Sequence, residues 1–208
     1  MIRGLLFFMV AFAVTAHAAT TDLSFVSCWP KNQQSNPVSH SVKSEIVASR
    51  AHWRAYATVT TNAANGSCQN TTQLYVASPG HDFVPIFRQA AIGTQDGNGI
   101  RILGWSPNGK KLLAETTDWA YGSDAELNRA VLVYDAEHAV QTPDVGRSLD
   151  ERFGGRCLFD YSVIGWKSDL TIVLHVRPFR EHWDDRPSCV TRTTAFVYQI
   201  DSRILQPF

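Results

Sequence analysis

The chain has 208 residues, 19 Lys and Arg against 19 Asp and Glu, with 44% hydrophobic and 18% charged positions. That length supports one well-cored domain and is short for two generous ones. Ordinary apolar content excludes a disordered chain, and the balanced charge lacks the electrostatic footprint of a nucleic-acid binder.

The first residues read as an export address. Arg3 supplies a positive start, residues 5–14 an apolar run, and Ala16-His17-Ala18 a small-x-small cleavage site, so residues 1–18 are expected to be a signal peptide cut after Ala18. The run is roughly ten residues where about twenty cross a bilayer. No later segment is longer, so no membrane span is expected. Residues 19–208 then form one exported, periplasmic or secreted, all-β domain.

Export favours disulfides. Cys28, Cys68, Cys157 and Cys189 allow three connectivities, and the nearest-neighbour pairing, Cys28 with Cys68 and Cys157 with Cys189, is preferred. Each such loop is worth about 3 to 4 kcal/mol in the chain-entropy model. Cys28 stands too far beyond the apolar run for lipidation, with the polar stretch 19–24 between. No C-x-x-C is present, and neither a metal nor a cofactor is expected.

After an N-terminal segment, 19–41, the chain carries three imperfect copies of one pattern, at about 42–88, 99–144 and 162–208. The first keeps Ser49-Arg50-Ala51-His52-Trp53-Arg54-Ala55-Tyr56-Ala57 and then Gln73-Leu74-Tyr75-Val76-Ala77. The second has Gly104-Trp105-Ser106-Pro107-Asn108-Gly109-Lys110-Lys111-Leu112-Leu113-Ala114 and Val131-Leu132-Val133-Tyr134-Asp135. The third has Gly165-Trp166-Lys167-Ser168-Asp169-Leu170-Thr171-Ile172-Val173-Leu174-His175 and Phe196-Val197-Tyr198-Gln199-Ile200-Asp201. Short runs of Val, Ile, Leu and Tyr between turn residues predict strands. Residues 102–105 and 111–116 should pair across a two-residue type I′ turn at Asn108-Gly109, followed by a strand at 130–134. Fourth strands are expected at 83–88, 139–142 and 203–208. Only 124–129 is allowed a turn of helix. Trp53, Trp105 and Trp166 are assigned to packing between copies, and Asp96-Gly97-Asn98-Gly99 to a loop.

Gly104-Trp105-Ser106-Pro107-Asn108-Gly109-Lys110 resembles the blade signature W-S-P-D-G-K of TolB-like and WD-repeat-like β-propellers. The resemblance implies an all-β fold of three propeller-like four-stranded antiparallel blades, a binding scaffold more often than an enzyme, and no catalytic residue to carry over. Three blades are fewer than those of a closed ring. The alternatives are an open or partial propeller, a homodimer that completes six blades, and a twisted β-sandwich. In such a meander the four cysteines share one face with the long insertions 61–72, 115–129 and 177–194.

Those insertions hold the candidate binding residues. One mixes acids and aromatics, Asp118, Trp119, Tyr121, Asp124 and Glu126, able to grip a sugar, a peptide or calcium, without the spacing of a calcium loop. The other holds His182, Trp183, Asp184 and Asp185, without an H-E-x-x-H motif. Ser106 sits in a hairpin turn, not a nucleophile elbow. Asn65-Gly66-Ser67 and Asn70-Thr71-Thr72 both satisfy the glycosylation sequon. The reading is an exported, disulfide-stapled β-repeat scaffold that binds a protein or glycan through its long-loop face. The alternative is an exported hydrolase or lyase on polysaccharide or peptide, using Asp118, Asp124, Glu126, Asp184 and Asp185 as general acid and base.

Overall fold

Alternation of buried and exposed residues organises the chain into three antiparallel sheets. The computed structural model describes residues 22–29, 36–93, 96–120, 128–137, 139–179 and 186–208; the expected signal peptide lies outside them. The first sheet contains β2 (His40–Lys43), β4 (Arg54–Ala64), β5 (Ser67–Ala77) and β6 (Val84–Ala90) in that order, with the short β3 (Val47–Ala48) also on β4. The second runs β1 (Asp22–Leu23), β7 (Asp96–Trp105), β8 (Lys111–Ala120), β9 (Asn128–Asp135) and β10 (Ala139–Gln141). The third is the meander β11 (Phe159–Ser168), β12 (Thr171–Pro178), β13 (Thr194–Gln199) and β14 (Ile204–Pro207). The expected strands, including the fourth of each copy, are present.

Two cores separate the three layers. In β4 and β5 the period-two pattern sends Ala55, Ala57, Val59, Leu74 and Val76 inward, where they meet Ile100, Ile102, Leu112, Ala114 and Leu132 of the second sheet. The opposite face of that sheet, Leu113, Val131 and Val133, meets Val163, Ile172, Leu174, Val176, Phe196 and Tyr198 of the third. Six consecutive residues of β8, 112–117, are therefore buried, because β8 is covered on both faces.

The Gly-Trp pair has a physical reason. The β7–β8 register slips between Ile102 and Gly104, and the β11–β12 register between Val163 and Gly165. Each slip places a glycine at a φ that side chains avoid, +121° at Gly104 and +153° at Gly165. The following tryptophan is re-aimed at the preceding sheet: Trp105 Nε1 donates to Val47 O and Trp166 Nε1 to Gly104 O, both at 3.0 Å. Trp53 lies in the first interface, its ring 6.4 Å from that of Trp105. The three tryptophans thus pack between sheets. Tyr75, Tyr134 and Tyr198 share the third strand of their meanders.

Several expectations are corrected. The type I′ turn is at Asn65-Gly66, where both φ are positive (51° and 76°) and Ala64 pairs with Ser67. Residues 61–72 are accordingly strand rather than insertion. Their polar composition misleads because Asn70 and Thr72 point inward and bond there: Asn70 Nδ2 to Val26 O at 2.6 Å, Thr72 Oγ1 to Asn98 Oδ1 at 2.7 Å. Asn70 is 1% exposed, so its sequon is closed to a glycan in the folded chain. Between β7 and β8, residues 106–110 form a longer turn in which Gly109 alone has positive φ. Ser106 Oγ donates to Asn108 Oδ1, which also accepts from Lys110 N. Residues 96–99 are strand, their glycines admitting the Trp119 ring at Gly97 and the Leu23–Ser24 backbone at Gly99.

A helix the periodicity missed, α1 (Val145–Phe153), lays Val145 and Leu149 on the second core. Asp144 caps it by accepting from Arg147 N, and Gly154 ends it at φ 72°. The predicted helical turn at 124–129 falls mostly outside the described residues; Asn128 and Arg129 begin β9. No helix among the described residues is long and apolar enough to cross a membrane.

Both disulfides pair as preferred, Cys28–Cys68 and Cys157–Cys189, with Cα separations of 5.8 and 4.9 Å. The first anchors the N-terminal segment whose Leu23 and Val26 complete the first core. Replacing Cys28 and Cys68 together by Ser is expected to cost about 2 to 5 kcal/mol of unfolding free energy in urea titration.

Candidate functional site

The stack has two unlike ends. At one, short turns interlock. A Cβ on Gly109 would lie 2.9 Å from Ala51 N, so the 106–110 turn presses on the 49–53 segment, and Asn108 N donates to Asp169 Oδ1 at the β11–β12 turn. At the other lie the Asn65-Gly66 turn, both disulfides, and the ends of β8, β9, β12 and β13 that flank residues 121–127 and 180–185, which are outside the described residues.

Of the residues singled out by sequence, Asp118 and Trp119 are described, at the loop-end terminus of β8; Tyr121, Asp124, Glu126, His182, Trp183, Asp184 and Asp185 lie outside the described residues. Trp119 is 6% exposed. Its indole fills the space over Gly97 and its ring centroid is 4.7 Å from that of Phe25, itself 65% exposed. It anchors the N-terminal segment to this end. Asp118 Oδ1 accepts from Gln89 Nε2 at 2.7 Å, bridging the first and second sheets. Partial burial raises its carboxyl pKa above the ordinary value, the Gln89 bond opposes the shift, and Asp96 adds to it. Asp118 is the one acid of the hydrolase alternative that is described, and its carboxylate is engaged by this amide.

Sequence reasoning missed a second charged group, on the opposite face of β8 toward the third sheet. Glu115, 1% exposed, accepts on Oε2 from Arg101 Nη2 at 2.8 Å, with Arg129 Nη1 at 3.9 Å. Arg101 Nη2 also donates to Val163 O of the third sheet, and Tyr161 Oη to Arg129 O. Glu115 Oε1 and Arg101 Nε are buried without a hydrogen-bond partner among the described residues. Burial, reinforced by the Glu115 charge, pushes the Tyr161 hydroxyl up to about 12. The available signal was an acid inside an apolar strand, Leu112-Leu113-Ala114-Glu115. Its two arginine partners lie on different strands, beyond the reach of spacing.

Chemically this end offers hydrogen-bonding and charged groups around a rigid frame. No cluster of three or more His, Cys, Asp or Glu able to hold a metal ion occurs among the described residues.

Two pH dependences follow. Tyr161 ionises more readily unfolded than folded, so its contribution is intact below pH 10, the ordinary value, and lost as pH rises towards 12. Urea stability should fall across that window, less steeply in Tyr161→Phe. Asp118 is penalised when ionised, so Asp118→Asn should raise Tm at pH 7 and leave it unchanged at pH 3; an equal shift at both values would assign the effect elsewhere. Comparisons with protein-family models, with curated proteins and with solved structures find no match to this chain.

Proposed function

We propose that the chain is an exported binding scaffold, its three sheets the blades of an open propeller, which captures a protein or glycan partner at the loop end. One observation carries the reading: both disulfides lie at the end where β8 and β9, and β12 and β13, are joined by the longest strand-to-strand connections of the second and third sheets in the sequence. Long loops on a disulfide-fixed β frame are where recognition concentrates, because the frame bears the folding and the loops are free to vary. Two disulfides also suit an oxidising compartment, in keeping with the leader-like first residues.

Trp183, Asp184 and Asp185 in the 179–193 connection supply an aromatic anchor flanked by charge, the residue chemistry that dominates binding energy at interfaces. The test is co-purification and cross-linking from the native exported fraction, comparing the unmodified chain with Trp183→Ala/Asp184→Asn/Asp185→Asn. Loss of a specific associate by about tenfold or more, at unchanged Tm, is the expected result; full retention overturns the reading. Mass spectrometry of the exported protein should find an N-terminus at Ala19. A chain retaining residues 1–18 overturns the export assignment.

A further inference from the structure

Among the described residues no other sheet covers the outer face of the first sheet, and the composition of that face departs from the repeat in one direction. Pairing registers align the three sheets row by row. In the second sheet Ile102, Ala114 and Leu132 form one cross-strand row, and in the third Val163, Leu174 and Phe196 form its equivalent; all six are buried against the preceding sheet. The matching row of the first sheet reads Lys43, Thr58, Gln73, Arg88. A hydrocarbon row has become cation, hydroxyl, amide, cation, spanning three inter-strand spacings or about 14 Å. A face rebuilt this way is unsuited to receiving another sheet, of this chain or of a second copy.

Its strands carry cations and no acid, the exposed Glu45 and Asp82 standing in the connections that follow β2 and precede β6. None of β2, β4, β5 and β6 contains an Asp or Glu. Lys43, Arg54 and Arg88 take part in no ion pair among the described residues. Two of these cations are held over rings: Lys43 Nζ is 3.8 Å from the centroid of Tyr56, and Arg54 Cζ 4.9 Å from that of Phe83. Tyr56 stacks on Tyr75 at 4.8 Å, and Phe83 meets Tyr56 edge-on. The rings hold the cations in place, and Tyr75 Oη donates to Gln73 Oε1 at 3.1 Å, which orients the Gln73 amide N–H groups as donors beside the Thr58 hydroxyl.

We propose that this face binds an anionic polysaccharide, with Lys43 and Arg88 taking acidic groups on separated sugars, Thr58 and Gln73 bonding the hydroxyls between, and the Tyr56–Tyr75 pair flanking the chain. Between the two cations of the row the face offers a hydroxyl and an amide, groups that match a hydroxyl-rich chain, which favours a glycan over an anionic membrane. The site is separate from the loop end, and its test does not depend on the partner proposed there.

The test is affinity electrophoresis and calorimetry on the full mature chain with polygalacturonate and dextran sulfate, against fully methyl-esterified polygalacturonate as the uncharged counterpart and phosphatidylglycerol vesicles as the membrane arm. Binding of a polyanionic glycan, absent for the ester and weakened at least tenfold in Lys43→Gln/Arg88→Gln, is the expected result. Lys43→Arg/Arg88→Lys should restore it, and Trp183→Ala should leave it intact. Both double variants lie on an exposed face, and unchanged Tm checks their folding. Failure of both polyanions to bind overturns the proposal, as do equal binding by Lys43→Gln/Arg88→Gln and tighter binding to vesicles than to either glycan.

Discussion

Everything in this fold depends on the second sheet being apolar on both faces. A sheet with one apolar face needs one partner; a sheet with two needs two, and β8 and β9 meet that demand by contributing Leu112 and Leu132 to one core and Leu113 and Val133 to the other. Each such side chain contributes about 1.5 to 3 kcal/mol when fully buried, so losing either flanking sheet would remove several of them at once. The one helix among the described residues adds Val145 and Leu149 to the second core and forms no layer of its own. The result is a short stack in which each layer is stabilised by its neighbours.

A second device sets how neighbouring layers meet. Gly104 and Gly165 allow bulges, and each bulge aims an indole N–H at a carbonyl of the preceding sheet. Because this bond repeats, both interfaces share one geometry, and the short turns interlock at one end. At the opposite end the short turn among the described residues is Asn65-Gly66. There the Cys28–Cys68 disulfide, the Asn70–Thr72–Asn98 bonds and the Arg101–Val163 bond beside buried Glu115 hold the layers together, while Cys157–Cys189 closes the third layer on itself. Polar groups buried in this way fix register more than they add stability, since each has been taken out of water.

The outermost layers end the stack differently. Terminal units of a repeat must present water-tolerant faces. The first sheet does so thoroughly, with threonine, glutamine and cations at positions that are hydrocarbon in the other two. The third does so partially, leaving Val173 and Val197 between polar neighbours and Ile204 46% exposed. The repeat is therefore one architecture with three sequences, each shaped by what lies on either side of it.

Strand positions, the repeat, the packing role of the tryptophans and the disulfide pairing were legible because each rests on local pattern or short loop closure. Polar strands and buried charge were not. Residues 61–72 read as a loop since their inward Asn70 and Thr72 are satisfied only by Val26 and Asn98, far away in sequence. The Asn108-Gly109 turn was misassigned because Ser106 closes it from outside the dipeptide. Of the candidate site, the sequence alone determined which residue types the long connections carry. Tertiary structure decided that Trp119 packs on Gly97 and Phe25, that Asp118 bridges two sheets, and that Glu115 meets two arginines. It also decided which sheet faces are covered, because burial of a face is a property of the neighbour placed against it and is written in no single strand.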